Sequence, residues 1–368
     1  MSKGSALSVL LLGFAATAVH ADGNLGDMFS FSGFGTVGVT RTNTDAAEYV
    51  PGGQVYGATR RPDFKLASNL GLQETVTPTE WLSATVQGLA QQRFRDTVEP
   101  KIQWAFVKVK PLAGLSIRAG QLALPTFLIS DSRSIGFVNN WIIAPNQVYA
   151  QATFDTYKGA DVAYQYSMAS SSVTLSALAG HTRSQLGAMA TLYGHTLRGY
   201  NASWDGALGT VRLSHVQTQV DVFIAGRLLA SQAYTFNSIG GTLDHDNVVL
   251  QGEFIERRVA GEGASNLNGW YVLGGYRAGN WLPYGIYARG RRPAAIALFP
   301  GFAAAIPLSE LSDGTISVGL RADLLKSVDF KLQFDHVHDS ISAIPFTNVK
   351  PGFGNSMNVI SVAVDFVF

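Results

Sequence analysis

The chain has 368 residues, of which 46% are hydrophobic and only 14% are charged, with 39 glycines and no cysteine. Ordinary soluble domains contain about 25% charged residues, and a formal net charge of +1 provides no basic surplus for nucleic acid. Because cysteine is absent, a disulfide framework is excluded as a source of stability.

The first 21 residues have the features of a secretory signal peptide. Lys3 precedes an apolar stretch from Ala6 to Val19, and the segment ends at Ala21. A basic start, an apolar centre and small residues before the cleavage point are typical of such peptides; a buried N-terminal helix is the alternative. No other apolar run approaches the roughly 20 residues of a membrane-spanning helix. Removal of residues 1–21 takes away Lys3 and no acidic residue, so the mature chain is nearly neutral.

From residue 29 onward, apolar and polar side chains alternate in short segments that turn signals separate. A period of two residues indicates β-strands with one apolar face, since successive side chains point to opposite faces. The pattern predicts about sixteen strands, at 29–41, 65–77, 81–93, 101–110, 115–122, 158–167, 172–182, 195–205, 210–221, 233–243, 248–258, 269–277, 281–291, 315–324, 328–338 and 358–368.

The connections between these strands alternate between short and long. The short ones are PTE, PLAG, MASS, GALG, DHDN, AGN and LKS, and the long ones include those after Arg41, Leu122, Arg291 and His338. Short periplasmic turns and long extracellular loops are typical of bacterial transmembrane barrels, whereas a soluble sandwich has no reason to sort its loops. We therefore predict an all-β fold in which residues 22–368 form a transmembrane antiparallel β-barrel.

The last strand supports a barrel in lipid. Ile360, Val362, Val364, Phe366 and Phe368 occupy alternate positions, with Ser361, Ala363 and Asp365 between them. The first set is expected to face lipid and the second the lumen. Because a bilayer offers no water to an open sheet edge, this strand must pair with the first.

Three tryptophans, Trp81, Trp204 and Trp281, flank short turns, where an aromatic girdle would lie. The alternation places Trp81 and Trp281 on the lumen side of their strands, so the girdle is weak support for the barrel.

The longest connection, residues 123–157, is too apolar and too long for a loop in water. It reads ALPTFLISDSRSIGFVNNWIIAPNQVYAQATFDTY. Loops of this length are functional or buried, so we expect it to fold into the barrel as the third long loop and to narrow the bore.

The segment RAGQLALPTFLISDSRSIGF, followed by WIIAPNQVY, resembles Gram-negative outer-membrane porins, as does GLRADLLKSVDFKLQFDHV near the end of the chain. Two departures concern selectivity: Gln121 stands where a basic residue is expected, and a Pro-Glu-Phe-Gly-Gly type of third-loop motif is absent. The resemblance implies passive diffusion of small hydrophilic solutes or ions through a homotrimer in the outer membrane of a Gram-negative bacterium. It also implies assembly by the barrel-assembly machinery through Phe366 and Phe368.

The strand parity opposite the apolar set predicts which charged side chains line the bore. The basic candidates are Lys65, Arg93, Lys108, Arg118, Arg212, Arg257, Arg277, Arg289, Arg291, Arg321 and Lys331. The acidic candidates are Asp161, Glu253, Asp323, Asp329, Asp335 and Asp365. Because basic side chains favour anions in a pore, this excess predicts a modest anion preference.

The resemblance also implies a constriction in which Asp131 and Arg133 of the third loop face a basic wall. The nearest candidates for that wall are Arg93, Lys108 and Arg118. Asp131 could equally cap a turn within the loop.

Three further motifs have ordinary interpretations. GFGTVG, Gly33 to Gly38, matches a dinucleotide fingerprint but continues as a strand rather than into a helix. In DHVHD, His336 and His338 share the face of apolar neighbours, which argues against a metal site. DHD, Asp244 to Asp246, is typical of a turn.

The alternative function is an outer-membrane barrel enzyme of the lipase or protease type. Such an enzyme needs a nucleophile beside an orienting base, and no Ser-His pairing of suitable spacing stands out. The sequence therefore predicts a channel without catalytic residues, metal or cofactor, whose partners are membrane lipid and small solutes or ions, with no role for nucleic acid.

Overall fold

A computed structural model describes residues 28–52, 56–92, 96–151, 154–186, 190–260, 266–293, 295–297, 306–308, 310–339 and 345–368. Sixteen antiparallel strands form one closed barrel, which confirms the predicted fold class. The strands are β1 Phe29–Thr42, β2 Asn69–Thr79, β3 Leu82–Gln92, β4 Val98–Leu112, β5 Leu115–Ala123, β6 Thr156–Ser167, β7 Ser171–Leu186, β8 Ala190–Gly206, β9 Gly209–Ile224, β10 Arg227–His245, β11 Val248–Val259, β12 Leu267–Tyr276, β13 Trp281–Arg292, β14 Leu311–Leu325, β15 Val328–Asp339 and β16 Ser356–Val367.

Short elements lie outside the barrel wall. They are the strands Glu48–Tyr49, Ala295–Ala297, Ile306–Leu308 and Phe346–Thr347, the 3-10 turn Gly136–Val138 and the α-helical turn Asn146–Tyr149. None of the described helices is long and apolar enough to cross a membrane. The predicted signal peptide, residues 1–21, lies outside the described residues.

The barrel closes between its first and last strands. β1 pairs with β16 from Phe34 opposite Val367 to Thr42 opposite Val359, as the last strand's pattern predicts. The GFGTVG motif lies within β1, where a side chain at Gly33 would overlap the ring of Phe368. Glycine at this position lets the terminal aromatic ring lie directly against the strand.

Four neighbouring strands are longer than their sequence pattern predicts. β7, β8, β9 and β10 contain 16, 17, 16 and 19 residues, whereas about 10 residues suffice to cross the apolar band. β9 and β10 are joined by a two-residue turn, Ala225 and Gly226, both with positive φ. At β7 to β10 the barrel wall therefore extends further on the side of the long loops than the apolar band requires.

The last strand has the predicted orientation. Ile360 and Phe368 are 42% and 53% exposed on the outer face, whereas Ser361 and Asp365 are buried inside the barrel. In β13 the predicted orientation is wrong: Leu282, Tyr284, Ile286 and Ala288 face inward and are buried, and Arg289 and Trp281 are exposed on the outer face.

The inversion in β13 has a physical reason. The inner wall at this strand packs against protein rather than water, so its apolar residues point inward. Arg289 therefore does not line the bore. Trp281 instead lies on the outer face beside a short turn, as an aromatic girdle requires.

Candidate pore constriction

The third long loop, between β5 and β6, lies inside the barrel against the inner wall of one half. Ser238 on β10 donates a hydrogen bond to the Thr126 carbonyl at 2.7 Å, and the Leu128 amide donates to Glu253 on β11 at 2.8 Å. Further along the loop, the Gln147 side chain donates to Asp313 on β14 at 2.8 Å. These contacts fix the loop to β10, β11 and β14.

The backbone of the loop around Gly136 lies close to the inner faces of β14, β15, β16 and β1. Lys331 Nζ donates to the Gly136 carbonyl and to Asp365, both at 2.7 Å, and Arg321 donates to the Phe137 carbonyl at 2.8 Å. A Cβ at Gly136 would overlap the carboxylate of Asp365. Glycine therefore permits the close approach on which these hydrogen bonds depend.

An apolar cluster fills the space between the loop and the wall. Phe127, Trp141 and Tyr149 of the loop pack against Phe236 and Tyr271 of the wall, with ring centroids 5.0 to 5.8 Å apart. Because each bulky ring is buried on both sides, water is excluded from this half of the barrel.

Tyr149 connects this apolar cluster to a buried acid. Its hydroxyl donates to Glu253 at 2.7 Å and lies 3.0 Å from the hydroxyl of Tyr271. Burial raises the pKa of Tyr149 well above its ordinary value, so the phenol stays a hydrogen-bond donor. Glu253 was predicted to line the bore. Its carboxylate is instead buried and hydrogen-bonded to the loop, so it is not exposed to solutes.

The first and last long loops cover the same half of the barrel. The strand Glu48–Tyr49 pairs with Phe346–Thr347. Asn146 of the third loop accepts a hydrogen bond from the Gly52 amide at 3.0 Å and donates to the Tyr49 hydroxyl at 3.3 Å. The three loops therefore form one connected layer over β13 to β16.

The opposite inner wall, β2 to β6, carries polar side chains that remain open to the bore, whereas inward Leu178, Leu197 and Val216 of β7 to β9 belong to the apolar cluster. Arg118 on β5 donates two hydrogen bonds to Asp161 on β6, at 3.0 and 2.7 Å, and Tyr157 donates to the same carboxylate at 2.9 Å. Lys108 on β4 lies directly across from Arg118. Among the described residues, Lys108 has no hydrogen-bond or ion-pair partner.

Asp131 is the acidic side chain of the loop that faces this wall. Its side chain is 57% exposed and lies 3.2 Å from Arg212 on β9, and it is within electrostatic range of Arg118. The structure thus brings together Asp131, Arg212, Arg118 and Lys108. Arg212 rather than Lys108 or Arg118 is the direct partner of Asp131.

The other predicted site residues lie elsewhere. Arg133 pairs with Asp155 at 3.3 Å and donates to the Tyr149 carbonyl, so it holds the loop together. Arg321, Lys331 and Asp335 face inward but are buried beneath the loop. Arg93 lies outside the described residues, and Arg289 is on the outer face.

The sequence singled out Glu253, Arg321 and Lys331 as lining the bore rather than as attachments of the loop, and it did not single out Gln333. Gln333 on β15 accepts from the Ile142 amide at 2.7 Å and donates to the Ile143 carbonyl at 3.0 Å. A glutamine at an inward position of a predicted strand is a signal for such an attachment, but it does not identify the partner.

The histidine motif has the predicted position. His336 lies exposed on the outer face and is 2.7 Å from the Asn358 side chain. Within the described part of the chain, no three His, Asp or Glu side chains are grouped closely enough to hold a metal ion.

Comparison with solved structures identifies the fold. An anion-selective porin from Comamonas acidovorans superposes with a TM-score of 0.57 at 13% identity, over 92% of this chain and 99% of that one. OmpF of Salmonella typhi gives a TM-score of 0.57 at 11% identity, over 92% and 97%. The chain has the fold of the Gram-negative outer-membrane porins. The porin resemblance predicted from the sequence is therefore confirmed at the level of fold.

A further structure with this porin fold is the trimer form of OmpT, an outer membrane protein of Vibrio cholerae. It superposes with a TM-score of 0.56 at 10% identity, over 92% of this chain and 99% of that one. No family model matches the sequence, and no curated protein matches it either.

Proposed function

We propose that this protein is an outer-membrane porin through which small hydrophilic solutes and ions diffuse passively, with a modest preference for anions. The observation that carries the proposal is the division of the barrel interior. The third loop and its apolar cluster occupy one half, with Arg212 bonded to the loop, and the wall with Lys108 and Arg118 faces the other. When a loop narrows a polar bore, the bore selects permeating solutes and ions by its diameter and by the charge of its wall.

The anion preference rests on Lys108 rather than on an excess of basic side chains. Arg118 is paired with Asp161 and Arg212 with Asp131. Beneath the loop, Arg321 is paired with Asp323 and Asp329, and Lys331 with Asp365. These basic side chains are largely neutralised, whereas Lys108 and its neighbour Lys110, two residues further along β4, have no ion-pair partner among the residues described. The Comamonas acidovorans protein of this fold is an anion-selective porin.

The proposal is tested by refolding the mature protein into a planar bilayer under a salt gradient. Stepwise openings with a reversal potential that favours anions are expected. Openings with a cation-favouring reversal potential would support the proposal of a porin but contradict the role of Lys108 in anion preference. A demonstrably refolded protein without conductance would overturn the porin, and a lipase and protease screen would then follow.

Arg118→Gln is expected to shift the reversal potential towards cations. The substitution leaves the Asp161 carboxylate, whose side chain is 6% exposed, without its guanidinium partner beside the bore. The double variant Arg118→Gln, Asp161→Asn restores neutrality and is expected to match the unmodified protein. An unchanged potential in the single variant would show that this ion pair lies outside the ion path.

The enzyme alternative finds little support in the described residues. His195 and Ser231 both contact Asp221, with His195 Nε2 3.0 Å from the carboxylate. The carboxylate lies between the serine and the imidazole, so the imidazole is not placed to take the serine proton, as nucleophilic catalysis requires.

We further propose removal of residues 1–21 on export, association into a homotrimer and assembly by the barrel-assembly machinery through Phe366 and Phe368. The trimer form of the Vibrio cholerae protein supports the second proposal. The exposed aromatic end of the chain, with Phe366 and Phe368 stacked at 6.4 Å, supports the third.

Phe368→Asp is expected to reduce the amount of assembled barrel in the outer membrane severalfold, because a charge replaces the terminal ring that lies on Gly33. Heat-modifiable migration of outer-membrane fractions on gels measures the assembled fraction. Phe368→Trp is the control and should assemble normally. If Phe368→Asp also refolds poorly from urea into detergent, the ring serves folding itself and the recognition role is wrong.

A further inference from the structure

Strand β4 presents two aromatic rings and two cations to the bore in one row. Four successive inward positions, taken from the long-loop side towards the short turn, are Trp104, Phe106, Lys108 and Lys110. The register fixes this orientation, because Phe106 pairs across the strands with Thr85, which is buried inside the barrel. We call these four residues the β4 row.

Both rings of the β4 row meet the bore. Trp104 and Phe106 are each partly exposed, and an inward side chain of the wall is exposed only towards the barrel interior. The Arg118 guanidinium lies 5.5 Å from the centroid of Phe106, and this cation–π contact holds the ring in place. Aromatic surface is therefore available to a solute that passes through the open half of the barrel.

The two cations of the β4 row are available to the same solute. The ammonium groups of Lys108 and Lys110 have no hydrogen-bond or ion-pair partner among the residues that the structure describes. In contrast, the guanidinium of the neighbouring Arg118 is bound to Asp161. An anion in this part of the bore therefore meets two uncompensated positive charges directly below the two rings.

The order and spacing of the β4 row suit one class of solute. Side chains on the same face of a strand are roughly 6.6 Å apart, which is about the distance between a ring and a carboxylate that a two-carbon chain joins. A carboxylate bound to Lys108 brings such a ring beside Phe106 and Trp104. Ring pairs stabilise each other beyond the removal of apolar area from water, so a solute with both groups gains from both halves of the row.

We propose that the β4 row is a binding track for small aromatic monocarboxylates that diffuse through the bore. The ring lies against Trp104 and Phe106 while Lys108 binds the carboxylate, and the carboxylate then moves to Lys110 beside the short turn. The assignment rests on the proposed porin function and names the class of solute that the pore favours.

The charges around the β4 row favour a monoanion over a zwitterion with the same ring. Asp131 of the third loop is paired with Arg212 at 3.2 Å, so its negative charge is largely compensated, whereas the ammonium groups of the row are not. Phenylalanine adds an ammonium group to the ring and carboxylate of 3-phenylpropanoate, and it is expected to bind more weakly. Equal or stronger binding of phenylalanine would overturn the monocarboxylate class.

Block of the chloride current in planar bilayers tests the track in the refolded mature protein. The probe is 3-phenylpropanoate, and 3-cyclohexylpropanoate has the same charge and carbon count without aromaticity. Half-block by 3-phenylpropanoate is expected at an about fivefold lower concentration, because only its ring stacks on the wall. Equal half-blocking concentrations would overturn the track. Openings in chloride alone test the porin itself, so a refolded protein without openings would overturn the proposed function instead.

Replacement of the first ring tests its role in this preference. Trp104→Leu keeps an inward apolar side chain and is expected to abolish the preference for the aromatic carboxylate, whereas Trp104→Phe should regain most of it. Trp270→Leu is the matched control, because Trp270 lies on the outer face of β12, and it should keep the full preference. Openings in chloride verify that each variant has folded. An unaltered preference in Trp104→Leu, or an equal loss in Trp270→Leu, would overturn the assignment of the ring.

The cation is tested separately from the rings. Lys108→Gln is expected to raise the half-blocking concentrations of both carboxylates and to leave the preference between them unaltered. Lys158→Gln is the control, since Lys158 is exposed on the outer face of β6, and it should change neither value. Unaltered block in Lys108→Gln would overturn the assignment of the carboxylate.

A reversal potential distinguishes passage from plugging. With sodium chloride on one side of the bilayer and sodium 3-phenylpropanoate on the other, it gives the permeability of the carboxylate relative to chloride. This permeability is expected to exceed that of 3-cyclohexylpropanoate. A 3-phenylpropanoate that blocks the channel but carries no current would overturn the track, because the row would then be an end point rather than a path.

Discussion

Lys108→Glu is expected to convert a modest anion preference into a cation preference. Lys108 faces the open half of the bore on β4, and its cross-strand neighbour Arg118 already has a carboxylate partner. The substitution therefore replaces an unmatched positive charge of the wall with a negative one, whereas the paired charges around it stay balanced and the nearby Lys110 keeps its charge.

The expected size of this effect follows from Coulomb's law. At about 5 Å in water, two unit charges interact with about 0.8 kcal/mol. Because the substitution attracts cations and repels anions, both contributions act on the permeability ratio, and a change on the order of tenfold or more is expected. The reversal potential under a salt gradient measures it. High salt should reduce the shift because wall charges are screened.

Arg289→Glu is the matched control for this prediction. It introduces the same charge change on the outer face of β13, away from the bore, and should leave the reversal potential unaltered. A sign change in Arg289→Glu, or none in Lys108→Glu, would contradict the assignment of the wall charge.

The barrel could be predicted from the sequence because lipid imposes a simple rule. In β16, apolar residues face out and small or polar residues face in, and the alternation predicts both the orientation and the pairing with β1. Turn chemistry located the short connections: Asp246 and Asn247 have positive φ, as the sequence DHDN suggests.

The same rule failed in β13, where the interior is itself apolar and no inward charge marks the face. In β13, the inward residues Leu282, Tyr284 and Ile286 are as hydrophobic as lipid-facing ones because they pack beneath the third loop. The period of two residues is the same whether the apolar side chains face lipid or the interior of the barrel. It therefore does not show which face of the strand contacts lipid. Arg289 was misplaced for this reason.

The candidate constriction was partly predictable. The length and apolar content of the third loop indicated that it folds inward, and Asp131 was identified as its exposed acid. The pairing of Arg118 with Asp161, and of Asp131 with Arg212, joins residues 43 and 81 positions apart. The alternation along a strand predicts whether a side chain faces the lumen, but not its position along the barrel axis. The charged residues of the lumen could therefore be counted from the sequence, but their ion-pair partners could not be identified.

Lys331→Met is expected to have the largest effect on stability. Lys331 is fully buried on β15, between Asp365 at 2.7 Å and Asp329 at 3.5 Å, and it also donates to the Gly136 carbonyl. Removing one partner from a buried ionic network costs about 3–5 kcal/mol, because the remaining charge is left without compensation. Asp365 loses its ammonium partner, whereas Asp329 keeps the guanidinium of Arg321 at 3.1 Å, so the urea midpoint for unfolding should fall markedly.

A comparison with a triple variant separates two roles of this ionic network, the stability of the barrel wall and the attachment of the third loop. Adding Asp329→Asn and Asp365→Asn to Lys331→Met removes both carboxylates and leaves Arg321 paired with Asp323. The triple variant should regain much of the stability, but not the hydrogen bond to Gly136. If the loop depends on that bond, the triple variant will be stable and yet show noisy single-channel currents. Quiet currents in the triple variant would mean that Arg321 and Gln333 suffice to hold the loop. Lys158→Met, an exposed outward position on β6, is the control and should change neither stability nor noise.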